Sequence, residues 1–134
     1  FDEELEHTKA YLYLEEIRFG DKLRILYDIQ ETDFSIPPLS VQPLVENAIK
    51  HGISKKSEGG TVKIASFADD TNYYVMIVDD GLGFDAKGFS DDNKHTHIGL
   101  FNVNSRIVNM VHGSLSVKSV PNEGTICKIT IPRK

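Results

Sequence analysis

The chain has 134 residues, 40% apolar and 26% charged. That is enough for one globular domain and too little for an enzyme with a separate substrate domain. Fifteen Lys and Arg against twenty Asp and Glu leave a formal charge of −5, which disfavours a nucleic-acid partner, because phosphate recognition wants a basic surface.

No apolar run approaches the ~20 residues of a membrane span, and the opening FDEELEH lacks the basic and apolar regions of a signal peptide. A lone cysteine, Cys127, excludes an internal disulfide and fits a reducing compartment. A helix is expected over 3–19, with Leu5, Leu12 and Ile17 as apolar positions and Gly20-Asp21 as its stop. Its polar surface fits the end of a longer helix. Alternation of Leu23, Ile25 and Tyr27 marks a short strand over 22–29.

After Pro37-Pro38, a second helix is expected over 38–51. Val41, Leu44, Val45, Ala48 and Ile49 follow the i, i+3, i+4, i+7, i+8 rule. Gly52 is the expected terminator. Strands over 60–68 and 72–79, joined by Asp69-Asp70-Thr71, are close enough for a hairpin. Residues 84–97 read as a polar loop, long enough in a small domain to be functional. A third helix from Ile98-Gly99 places Leu100, Val103, Ile107, Met110 and Val111 on one face and ends at His112-Gly113. Strands over 114–120 and 124–131, linked by Pro121-Asn122-Glu123, complete the chain. Five strands and three helices in this order predict an α+β fold, a two-layer α/β sandwich with a mixed, mostly antiparallel sheet.

Three segments carry candidate chemistry. Asp79-Asp80-Gly81-Leu82-Gly83 puts a carboxylate at a strand end before two glycines. A fixed carboxylate accepts hydrogen bonds and suits an exocyclic amino group, such as that of adenine; Asp-Gly is equally a common turn pair. Ile98-Gly99-Leu100 opens a helix whose unpaired N–H groups and dipole favour a phosphate, or form an ordinary first turn. Glu46, Asn47, Lys50 and His51 lie off the apolar stripe of the second helix, the last three converging at i, i+3, i+4. An amide oxygen there suits Mg²⁺ and a lysine suits phosphate charge; a solvated face with a Glu46–Lys50 ion pair is the plainer alternative.

Order and spacing carry further than any one segment. LVENAIKHG, DDGLGF, the polar loop, IGLFNVNSRI and EGTICKITIP resemble the N, G1, G2 and G3 boxes of the Bergerat-type ATP-binding domain of sensor histidine kinases, gyrase-type topoisomerases, Hsp90 chaperones and MutL repair proteins. YLYLEEIRFGDKL followed by IPPLSVQPLVENAIKHG looks like the LytS/YesM subgroup of sensor histidine kinases. The resemblance covers nearly the whole chain.

The resemblance implies an ATP-binding catalytic domain over 21–134, with a lid at 84–97 and residues 1–20 as the end of an upstream dimerisation or linker helix. It implies Asn47 as the Mg²⁺ ligand and Lys50 and His51 facing the phosphates or the lid. It implies Asp79 reading the adenine amino group, with Gly81 and Gly83 shaping the pocket. Gly99 and Leu100 would meet phosphate through backbone N–H groups, and Thr125 would support adenine. ATP and Mg²⁺ are the implied cofactors. The implied partners are a phosphoacceptor histidine on an upstream helical domain and a response regulator. The whole protein would be a membrane-anchored homodimer with this domain in the cytoplasm. An anti-sigma-factor serine kinase, a conformational ATPase module and a nucleotide-sensing module are the alternatives.

Two positions depart from the family pattern. His97 stands where many relatives have the first glycine of G2, and Pro43 stands four residues before Asn47, where many place an acid or amide. Glu46 is then the nearest carboxylate and the candidate base. His7 does not match an acceptor motif and reads as a surface residue, which places the expected acceptor before Phe1.

Overall fold

The first helix, α1 (Asp2–Phe19), carries Asp2, Glu3 and Glu4 in its first turn, against the positive end of the helix dipole, and stops at Gly20 with φ 59°. In this computed structural model, which describes residues 1–53, 56–83 and 98–133, Leu5, Thr8 and Leu12 face the interior. Ile17, expected among them, is 66% exposed. It follows Leu12 by five residues, which is about 140° of rotation and turns it off the buried face. His7 is exposed, as expected.

β1 (Leu23–Ile29) is an edge strand, and Tyr27 on it is 40% exposed, with Lys9 Nζ 5.3 Å from its ring centroid. α2 (Gln42–Asn47) starts four residues later than the periodicity predicts. Leu39 has φ 59°, which breaks right-handed helical winding before Gln42. Pro43 is accommodated in the first turn, where no backbone N–H is needed. Beyond Asn47 the helix widens into a π-helical turn (Ala48–Ile53) and runs past Gly52, the expected stop. Such windings are short and collect at functional sites. The predicted stripe, Val41, Leu44, Val45, Ala48 and Ile49, is buried in full.

β2 (Gly60–Ala68) and β3 (Asn72–Asp79) form the expected hairpin, and α3 (Ile98–Val111) leads into β4 (Ser114–Val120) and β5 (Gly124–Pro132). The sheet order is β1-β2-β3-β5-β4. Only β1 and β2 run parallel, and α2 lies in the crossover that a parallel pair requires. The three helices cover one face, and the core joins Leu12, Val45 and Ile107 from the helices to Val62, Ile77 and Ile129 from the sheet.

The apolar face of α3 ends before the helix does, since Met110 is 59% exposed. His112, at φ 56°, closes it, with the Gly113 N–H donating to the Ile107 carbonyl at 3.1 Å. Cys127 is a buried small hydrophobe, its thiol pushed up to about 12 chiefly by burial. No described helix is long and apolar enough to cross a membrane.

Candidate functional site

Asp79 is the last residue of β3, paired with Val62 on β2 and Thr125 on β5. Strand alternation puts it on the helix-covered face with Val75 and Ile77, and it is 6% exposed. Its Oδ1 accepts the Gly81 N–H at 2.9 Å, which folds the Asp-Asp-Gly segment back on the carboxylate. Burial pushes the Asp79 carboxyl up to about 6, and the Asp80 charge adds to the rise. The Gly81 hydrogen bond and the Lys56 charge oppose it.

Two glycines let the chain close around this acid. Gly124 has φ 125°, and a Cβ there would lie 2.1 Å from the Asp79 carbonyl oxygen. Gly83 has φ 65°, and a Cβ there would lie 2.2 Å from the Val120 carbonyl oxygen. Only residues without a side chain permit these approaches.

Thr125 is buried beside Asp79, and its Oγ1 lies 2.7 Å from Ser119 Oγ. Ser119 also donates to the Gly124 carbonyl at 3.1 Å. With the Ser119 proton committed there, Thr125 donates to Ser119 and keeps its lone pairs as acceptors. Ser119 escaped sequence reasoning. The register of the β4–β5 hairpin, which sets it opposite Thr125, was the available signal.

Asn47 ends α2 and is half-buried; Lys50 is exposed on the π-helical turn, which also contains the His51 backbone. That turn packs on β2, β3 and β5. Its last residue, Ile53, has Cδ1 only 2.7 Å from where a Cβ on Gly60 would stand, and Gly60 begins β2 beside Asp80. Lys56 Nζ donates to the Asp80 carbonyl at 2.8 Å. The N-box turn and Asp79 therefore share one end of the sheet.

Glu46 is half-buried, accepts from Gln42 Nε2 at 3.4 Å and helps raise the Tyr11 phenol to about 12, behind burial and Glu15. Its charge is thus felt at Tyr11 on α1. Leu100 is buried in the first turn of α3, so only its backbone is available to a ligand; the Gly99 backbone belongs to the same turn. The expected lid over 84–97, with His95 and His97, lies outside the described residues.

A cleft of about 480 Å³ lies elsewhere, on the helix-free face of the sheet, along the row Leu26, Lys63, Val78, Ile126 and Lys118. It meets Asp79 and Thr125 from behind and is distinct from the face their side chains address.

No cluster of three or more His, Cys, Asp or Glu side chains able to hold a metal occurs among the described residues. A single amide oxygen at Asn47 fits a Mg²⁺ ion that takes its other ligands from phosphates and water.

Residues 39–134 match the model of the histidine kinase-, DNA gyrase B- and HSP90-like ATPase family. The chain is 37% identical to YwpD of Bacillus subtilis over 98% of its own length and 49% of that protein's. It is 35% identical to the sensor histidine kinase YpdA of Escherichia coli and 32% identical to the sensor protein LytS of Oceanobacillus iheyensis. Those two matches cover 98% and 96% of this chain but only 24% of either relative. The chain thus spans half or less of the length of these relatives.

The catalytic domain of the histidine kinase ThkA superposes with a TM-score of 0.73 at 16% identity, covering 98% of this chain and 92% of that one. The histidine kinase AdeS of Acinetobacter baumannii gives 0.66 at 24% identity, covering 92% and 64%. These likenesses establish the Bergerat-type fold. With the box residues in order and a family model matching most of its length, the chain belongs to the histidine kinase-, DNA gyrase B- and HSP90-like ATPase family.

Proposed function

We propose that this chain is the ATP-binding catalytic domain of a sensor histidine kinase. In that reading it presents the γ-phosphate of ATP to a histidine on a helical domain elsewhere in the whole protein, for relay to a response-regulator aspartate. Its likeness to a LytS sensor protein and a YpdA sensor histidine kinase favours this over a serine kinase, a conformational ATPase or a nucleotide sensor. The observation that carries the reading is Asp79, a buried acid held at a strand end by the Gly81 N–H and flanked by the Thr125 hydroxyl.

The adenine amino group donates to the Asp79 carboxylate, and the Thr125 lone pairs accept beside it. Gly81 and Gly83 keep the wall thin enough for a flat ring to enter. Asn47 would offer its amide oxygen to Mg²⁺, and Lys50 and His51 would take the positions that meet the phosphates or the lid. An ion held there would supply neutralisation of the phosphate charge. Gly99 and Leu100 turn backbone N–H groups of the first turn of α3 toward the phosphates. The work of the domain is positioning and charge neutralisation. Glu46 is the candidate base, one residue before Asn47. The whole protein would be a membrane-anchored homodimer.

Titration calorimetry with a non-hydrolysable ATP analogue, with and without Mg²⁺, and with its guanine counterpart, tests the reading. Magnesium should strengthen binding. The guanine form should bind about tenfold or more weakly, because its O6 acceptor would face the Asp79 carboxylate. Equal affinity for both bases overturns the assignment.

A further inference from the structure

Glu4 sits in the first turn of α1 yet is only 7% exposed. Its Oε1 accepts the Leu39 N–H at 3.1 Å, and its Oε2 accepts the N–H groups of Val41 at 2.8 Å and Gln42 at 3.3 Å. Val41 and Gln42 are the N-cap and first residue of α2, where helical N–H groups have no partner within the helix, and Leu39 lies in the turn just before them. The N-cap residue of α2, Val41, makes no side-chain capping bond. The cap comes instead from a helix 37 positions earlier, and a carboxylate there also meets the positive end of the dipole.

The same turn is gripped from α3. The Arg106 guanidinium donates to the Leu39 carbonyl, while the Leu39 N–H goes to Glu4. Leu39, at φ 59°, holds a conformation that a leucine keeps only when its surroundings impose it. The two peptide groups flanking Leu39 therefore tie α1 and α3 to the turn that enters α2. α2 is six residues long, so Asn47 stands about 8 Å from Gln42 along a single rigid rod.

We infer that Glu4 is a positioning residue: by capping α2 it sets the place of Asn47, and so couples α1 to the metal and phosphate end of the nucleotide pocket. The inference rests on the nucleotide-binding reading above. The adenine end, Asp79, Thr125 and Ser119, is built on β3, β5 and β4, and the Glu4 hydrogen bonds go to a different part of the chain. A shift of α1 therefore alters phosphate and metal handling while adenine recognition stays put.

The test is calorimetry of the ATP analogue with magnesium and with EDTA on the wild-type chain, Glu4→Gln and Glu4→Asp, with melting temperatures in parallel. Asn47→Ala and Asp79→Asn serve as controls. Glu4→Gln should cut the magnesium-dependent gain in affinity about tenfold, the size of an outer-shell effect on a metal site. Its affinity in EDTA should stay within about twofold of wild type. If Glu4→Gln fails to fold, Glu4→Asp, which keeps the charge on a shorter arm, is read by the same pair of titrations and should lose part of the gain.

A folded Glu4 variant that keeps the full magnesium gain, or that loses affinity equally with magnesium and with EDTA, overturns the positioning role. A wild-type chain with no magnesium gain, or an Asn47→Ala chain that retains it, overturns the nucleotide reading and the inference with it. An Asp79→Asn loss that persists in EDTA marks the adenine end as separate.

Discussion

Replacing Asp79 by Asn should stabilise the ligand-free chain while weakening its hold on adenine. Burial raises the folded-state carboxyl from 3.8 to about 6. An acid with a raised pKa holds its proton more tightly folded than unfolded. Between about pH 4 and pH 6 the unfolded chain ionises first, so stability falls as pH rises through that window. Below it both states are protonated and nothing is lost. A shift of about 2 units at 1.36 kcal/mol each puts the full penalty near 3 kcal/mol above pH 6.

Asn carries no charge to desolvate, and its amide oxygen can still accept the Gly81 N–H. Asp79→Asn should therefore unfold at the same urea concentration as wild type near pH 4, and be more stable by up to about 3 kcal/mol at pH 7. Nucleotide binding should move the other way: the variant loses about 1–3 kcal/mol of affinity at pH 7. Wild-type affinity should rise as pH climbs through 6, since the ionised carboxylate is the better acceptor. A stability difference that does not change with pH, or a variant less stable than wild type at pH 7, refutes the burial argument.

Gly124→Ala should cost on the order of 2 kcal/mol or more, because its Cβ would lie 2.1 Å from the Asp79 carbonyl and its φ is 125°; urea unfolding reads the loss. Leu12→Ala removes a fully buried side chain of α1 and should cost about 2–5 kcal/mol by the same measurement. A value near zero would make α1 a linker that merely lies on the domain. Thr125→Val deletes the hydroxyl bonded to Ser119 and should weaken the ATP analogue by about 1 kcal/mol in calorimetry, with magnesium or with EDTA alike.

The sheet and helices were legible in chain order because their signals are local. β3 alternates between faces, and the stripe from Val41 to Ile49 repeats at helical spacing, so short-range periodicity names the buried side. The same logic failed where an element leaves the core. Ile17 and Met110 are apolar but solvated, since only the packing of α1 and α3 decides which part of each helix is covered. α2 starts later than its periodicity implies because the turn at Leu39 is held by Glu4 and Arg106, both far away in sequence.

The candidate site divides along the same line. Asp79, its two glycines and the Gly-Thr pair could be picked out because each segment is a compact run of residue types whose chemistry is apparent in sequence. Ser119 and Glu4 could not. A serine in a strand and a glutamate in an acidic helix look like ordinary surface residues until strand register and helix packing bring their partners to them.

What the amino acids alone determined is which segments form helix or strand and where an acid, an amide and glycines recur in box order, since these depend on neighbours a few positions apart. What only the tertiary structure decided is that Asp79 is desolvated, that Thr125 leans on Ser119, and that the helix bearing Asn47 begins under a carboxylate from α1. Desolvation and long-range hydrogen bonds exist only once distant segments share a space from which water is excluded.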